Sequence, residues 1–365
     1  MSIQTLDIPA QRIGQSLGRI LAHAQPKIVL GTVGMTDSRK KNTGATVKYR
    51  RWLPKGATAS SPNIFFPDAT VVGTDRSAVY TQAQQTSEGI TSNAESLVSQ
   101  DFSVSQLQFN VLYGFTDQTA DLSEDVIPKV MEEMVGERTG LLCEMQLFGI
   151  AKGATNKFYG GTGTSRATVN GTISLNLLRR VARSLMANHA EPVRKMFMPI
   201  PANGNYNTAP IGGYCFPVFI HTDLAADVRD LPNFTPVERY PDSAKAVENE
   251  FGRCEEFRFI ASPDLISIQN SGADITGVVP PLKALSGDVH ADVYQIIVAS
   301  QDCWGHVGLQ GFDKDNITLL PTGQKDKADP HGQRGYVGTI FYYNAVRLNE
   351  GQMAVVEVGA NALTS

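Results

Sequence analysis

A chain of 365 residues, 42% hydrophobic and 19% charged with a formal net charge of -4, has the composition of a folded globular protein. The mild acidity excludes a protein whose affinity rests on wrapping phosphate backbones, because such surfaces need a clear Lys and Arg excess. The length suffices for two or three compact units and a sizeable core.

Taken in chain order, Ile13, Leu17, Ile20, Leu21 and Ala24 recur at helical spacing, and Pro26 stops that helix. Gly14 and Gly18 weaken it by about 1 kcal/mol each, so it needs a surface to lie on, either its own core or a neighbour. Val47, Tyr49 and Arg51 then alternate with Thr46, Lys48 and Arg50, which predicts a strand running into Trp52. Pro54, Gly56, Pro62, Pro67 and Gly73 follow in a stretch too long for a hairpin loop. After Gly89, Phe102, Val104, Leu107 and Phe109 bracket polar residues in a roughly period-two pattern. A strand goes out, an irregular tip follows and strands return; such a projection is marginal alone and needs something beyond its own chain to pack on.

The segment from Pro128 to Lys152 reads as one long helix with an apolar stripe of Ile127, Met131, Met134, Leu141, Met145 and Phe148. Pro128 fits its first turn and Gly153 its end, and the stripe, methionines included, reads as core. Glu132 and Glu133 lie on its solvated face. The strip "YGGTGTSRATVNGT" lacks both GxxxxGK[ST] and GxGxxG, so it reads as a flexible loop before an N-cap at Thr172 or Ser174 and a second helix, "SLNLLRRVARSLMANHA". From 201 to 324, strand–turn–helix units and separate strands suggest a compact α+β lobe. The closing "DPHGQRGYVGTIFYYNAVRLNEGQMAVVEV" reads as two strands about an Asn349-Glu350-Gly351 turn.

Candidates for chemistry are few. His221, Thr222 and Asp223 sit at a strand-to-helix junction, where Thr222 or Asp223 is expected to cap the helix from Leu224. His306 and His290 have no Ser, Cys or carboxylate partner at a telling spacing. Arg39 to Lys41, with Lys48, Arg50 and Arg51, form a basic run that suits nucleic acid, an acidic neighbouring subunit or plain solvation. Cys143, Cys215, Cys254 and Cys303 contain no CxxC pair and read as buried thiols in a reducing compartment. The N-terminus carries no apolar signal region, and no apolar run is long enough to span a bilayer, so a soluble protein made in the cytoplasm is expected. The residues define no catalytic, cofactor-binding or metal constellation.

Four stretches in order do carry a family resemblance. They are "AQPKIVLG…GATVKYRRW", "QTSEGITSNAESL" with its Glu88-Gly89 turn, "LYGFTDQTADLSEDV", and "ADVYQIIVASQDCWGHVGL" with the closing segment. Together they resemble the major capsid proteins of tailed phages, in the group typified by coliphage N-four, over about residues 20 to 358. The resemblance implies an α+β, Hong Kong 97-type capsid fold: an N-terminal arm (1–44), an extended loop (45–112), a peripheral domain with a spine helix (113–200), an axial domain (201–324) and return strands of the peripheral domain (325–365). It implies self-association as hexamers and pentamers into an icosahedral head, with inter-subunit contacts from Arg50, Arg51, Trp52 and Glu88. The implied partners are portal, scaffolding and decoration proteins, and packaged double-stranded DNA held without sequence specificity on the inner face; no membrane and no cofactor are implied. The implied location is the virion, assembled in the host bacterial cytoplasm. Alternative readings are the same fold as a cellular cargo shell, or a cytoplasmic α+β hydrolase using His221, Asp223 or His306.

Overall fold

The computed structural model describes residues 26–53, 88–89, 97–123, 126–199, 206–240, 247–275, 282–285, 288–312, 316–325, 327 and 329–363. The helix expected at 13–24 and the irregular stretch after Leu53 lie outside the described residues, apart from Glu88 and Gly89. In chain order the strands are β1 (Met35–Arg39), β2 (Thr46–Leu53), β3 (Val98–Ser105), β4 (Leu107–Thr116), β5 (Lys157–Tyr159), β6 (Val193–Pro199), β7 (Tyr206–His221), β8 (Thr235–Pro236), β9 (Glu250–Cys254), β10 (Phe257–Ser262), β11 (Tyr294–Val298), β12 (Trp304–Leu309), β13 (Thr318–Leu320), β14 (Arg334–Arg347) and β15 (Ala354–Val358). The principal helices are Ile127–Ala151 and Leu175–Ala187, with short ones at Asp117–Leu122 and Ala225–Arg229.

The larger sheet runs β5-β15-β11-β7-β10-β9-β8, with β6 paired to β7. Its central strands read as continuous apolar runs, "YQIIV" in β11 and "AVVEV" in β15, because both faces are covered. On one face the helix Leu175–Ala187 buries Leu177, Leu178, Val181 and Leu185 against Phe216, Val218, Phe259 and Val356. On the other, Phe219, Ile297 and Val355 pack with Leu147 and Phe148 of the long helix, Leu30 and Trp304. The second sheet is β1-β12-β14-β13, with β4 also on β14, and the N-terminal half of the long helix covers one of its faces through Met131 and Val135 against Val111, Phe115 and Val337. β2 and β3 form a separate two-stranded hairpin.

Several expectations are corrected in detail. The period-two run at 102–109 is two strands: β3 pairs with β2, whereas β4 pairs with β14, and the chain changes sheet at Gln106. The closing segment likewise parts, β14 lying against the long helix and β15 inserting into the larger sheet beside β11. The long helix buries Met131 and Phe148 as expected, but Met134 is 40% exposed and the buried face runs through Val135, Thr139, Gly140, Cys143 and Leu147. Small and polar residues occupy that face because Ile28 seats where a side chain on Gly140 would stand. Gly153 follows the helix end without left-handed geometry; a Cβ there would lie 2.6 Å from the Arg347 guanidinium. The Gly- and Thr-rich strip is not a flexible loop: Thr162 and Asn170, and Ser165 and Thr168, hydrogen-bond across it. Ser174, one of the two expected caps, accepts from the Leu177 N–H.

Candidate functional site

The β2–β3 hairpin carries three of the four residues expected at subunit contacts. Along β2 every second residue turns inward, so Val47, Tyr49, Arg51 and Leu53 lie toward the body while Lys48, Arg50 and Trp52 face out. Arg50 makes a two-pronged contact with Asp101 at 2.7 and 2.9 Å and holds that carboxylate below its usual pKa range. Arg51 points the other way. It donates to the Leu348 carbonyl at 3.3 Å and to Gln100 at 2.6 Å, and its guanidinium lies 5.1 Å from the Phe102 ring centre. Arg51 therefore fastens the hairpin to its own body, while Trp52, 57% exposed, and Leu97, 81% exposed, leave an apolar end uncovered. Glu88 is exposed in a turn where Gly89 takes φ +80°, and no described contact joins it to the other three.

The hairpin base is fixed at Gln106, whose side-chain amide donates to the Gly308 carbonyl at 2.7 Å while Asn344 donates to the Ser105 carbonyl at 2.6 Å. The neighbouring basic run is largely engaged inside the chain: Arg39 donates to Thr43, and Lys41 sits 4.6 Å from the Phe312 ring centre.

Two further features escaped sequence reasoning. The face of the second sheet turned away from the long helix exposes Leu112, Ile340 and Leu320. Leu112 and Ile340 alternate with buried neighbours and gave only an ordinary strand signal. The segment 27–33, where the chain enters the body, is held mainly by side chains. Glu144 accepts from the Val29 and Leu30 N–H groups at 2.9 and 2.8 Å, Asp264 accepts from the Lys27 N–H, and Trp304 donates to the Val33 carbonyl. Acceptors and donors from three distant segments gave no sequence signal.

The histidines considered for catalysis are occupied. Neither Thr222 nor Asp223 caps the helix Ala225–Arg229, which has no side-chain cap; His221 instead caps the 3-10 turn Thr222–Leu224 ahead of it, its Nδ1 accepting from the Asp223 N–H at 3.0 Å. Burial holds its pKa below the usual value against the pull of Asp223. Asp223 accepts instead from Lys283 at 2.6 Å and Tyr294 at 2.7 Å; burial raises its pKa, but those bonds outweigh it and leave it below the ordinary range. His306 is buried between the Tyr343 hydroxyl and the Val33 carbonyl. All four cysteines are buried and none is in a disulfide, and among the described residues no group of His, Cys, Asp or Glu could hold a metal. Among them, too, no helix is long and apolar enough to cross a membrane.

No family model matches the chain. It is 22% identical over 271 residues to the major capsid protein of Pseudomonas phage KPP21, a match that spans 68% of this chain and 66% of that protein's length. In structure it is similar to the capsid of Ralstonia phage GP4, with a TM-score of 0.63, 12% identity and full coverage of both chains. It is also similar to the capsid of cyanophage Pam1, with a TM-score of 0.54, 13% identity and 99% and 100% coverage. The chain has the tailed-phage capsid fold. On that fold, the outer end of the hairpin leaves Trp52 and Leu97 exposed, and the second sheet leaves Leu112 and Ile340 exposed.

Proposed function

We propose that this chain is the major capsid protein of a tailed bacteriophage, a structural subunit that associates as hexamers and pentamers into the icosahedral head around double-stranded DNA. The observation that carries the reading is a capsid fold matched over the whole length, with a two-stranded projection whose Trp52 and Leu97 stand exposed. Residues 1–44 act as the arm and the β2–β3 projection as the extended loop; the second sheet with the long spine helix serves as the peripheral domain, and the larger sheet with the helix Leu175–Ala187, which takes in β5 and β15, serves as the axial domain. Arg50, Trp52 and Glu88 meet neighbouring copies, and Arg51 keeps the hairpin aimed. Portal, scaffolding and decoration proteins are the further partners, and the virion, assembled in the host cytoplasm, is the location. The work is association without a reaction: many moderate interfaces become collectively strong when a symmetric shell closes.

The test is light scattering on a sizing column with negative-stain microscopy of every fraction, on the chain alone and co-expressed with the head genes that accompany it. Rings, shells or tubes are expected in at least one condition. A monomer in both, at every concentration, would overturn the proposal.

A further inference from the structure

We infer that the solvent face of the helix Leu175–Ala187 is a binding surface for the phosphates of duplex DNA; this rests on the capsid reading and assigns its nucleic-acid face. The helix carries Arg179, Arg180 and Arg183 and no acidic residue, and the fold sets Glu255 and Glu256 beside Arg179 and Arg183, which leaves the surface a net +1 in a chain whose total is -4. The helix buries its apolar side in the larger sheet, which leaves Arg179, Arg180 and Arg183 together on the exposed side. Residues at i and i+4 stand about 5–6 Å apart at Cβ, so Arg179 and Arg183 form one short ridge beside Arg180. Arg179 is paired with Glu255. Arg180 and Arg183 make no described ion pair; the Arg180 guanidinium lies 5.9 Å from the Phe158 ring centre, a contact that steadies the side chain and leaves its charge free.

The basic run at 39–51, which the sequence alone marks for an anionic partner, is more fully paired, although Lys40 and Lys41 there remain exposed and serve as the control. Arg50 is matched by Asp101, and Arg39 and Arg51 are tied to partners of their own chain. The ridge suits phosphate better than a protein partner. It is built of guanidinium groups, whose planar fork of donors matches phosphate oxygens, and it offers one exposed apolar side chain, Met186, where a protein interface needs an apolar core.

The test is fluorescence anisotropy of a labelled random-sequence duplex with unassembled subunits across a salt series. Each phosphate contact contributes about 0.9 to the slope of log affinity against log salt, so the Arg180→Gln/Arg183→Gln double variant should show a slope shallower by about 1.8. A Lys40→Gln/Lys41→Gln control should match the wild type. Equal slopes for the wild type and the arginine variant, or no salt-dependent binding by the wild type, would overturn the inference. So would an arginine variant that binds DNA normally but fails to associate, since the ridge would then serve a protein contact. Shell formation, scored separately by microscopy, reports on the capsid reading whichever way the slopes fall.

Discussion

At Glu144 a carboxylate only 2% exposed accepts two backbone N–H groups from a segment more than a hundred residues away. Burial pushes its pKa above the usual carboxylate range against those bonds. The raised value means that the folded chain holds a proton the unfolded chain has already released. Stability therefore falls as pH rises from the ordinary carboxylate pKa through the raised one. Glu144→Gln keeps an acceptor without the charge, so its melting temperature should vary less with pH across that window than the wild type's; parallel profiles would refute the assignment. Glu144→Ala strands both donors and should cost about 1–3 kcal/mol in thermal melts. Gly34 is the other sensitive point, with φ +105° and no room for a Cβ beside the fully buried Trp304, whose indole donates to the adjacent Val33 carbonyl. Gly34→Ala combines left-handed strain with overlap and should lose at least about 2 kcal/mol, read as a drop in melting temperature and soluble yield.

Among the elements, the hairpin is where folding and the proposed assembly can be tested apart. Its own energetics are modest: the Arg50–Asp101 pair is exposed, and solvent screens such pairs to a small net contribution. Deleting residues 54–85 should leave a chain with native circular dichroism and melting temperature that no longer forms shells, and Trp52→Ala should weaken assembly in the same sense. Unchanged shells in negative stain would remove the hairpin from the interface. The alternation at 46–53 made β2 legible in the sequence, and Pro128 with the apolar spacing made the long helix legible. The break at Gln106 was only half legible: the step of three from Val104 to Leu107 marks a slip in the alternation, but periodicity reports facing and not partners, so it could not show that β3 pairs with β2 and β4 with β14. The face of the long helix was only half legible, since hydrophobicity marks Met134 but cannot show that Gly140 is where Ile28 seats.

On the scale of the whole molecule, distant pairings are what the sequence withholds. The route of β14 and β15 into separate sheets depends on β4, β11 and β5, which local patterns do not connect. The cysteines were legible because buried thiols need only a reducing origin and an apolar core, and they supply a probe of the whole fold. Burial raises the Cys303 thiol to about 12 and the Cys215 thiol to about 11. At pH 8 a thiol with a pKa of 12 is ionised to only about one part in ten thousand, and the thiolate is the reactive form. Labelling by a disulfide reagent at pH 8 should therefore be negligible in the folded chain and proceed through opening, releasing four equivalents on full unfolding. If shell formation stabilises the subunit by mass action, the opened population falls, and labelling should be slower in shells than in free subunits at the same temperature. Equal rates in the two states would mean that assembly leaves the core's opening untouched, so that the contacts holding the shell are energetically uncoupled from the fold that presents them.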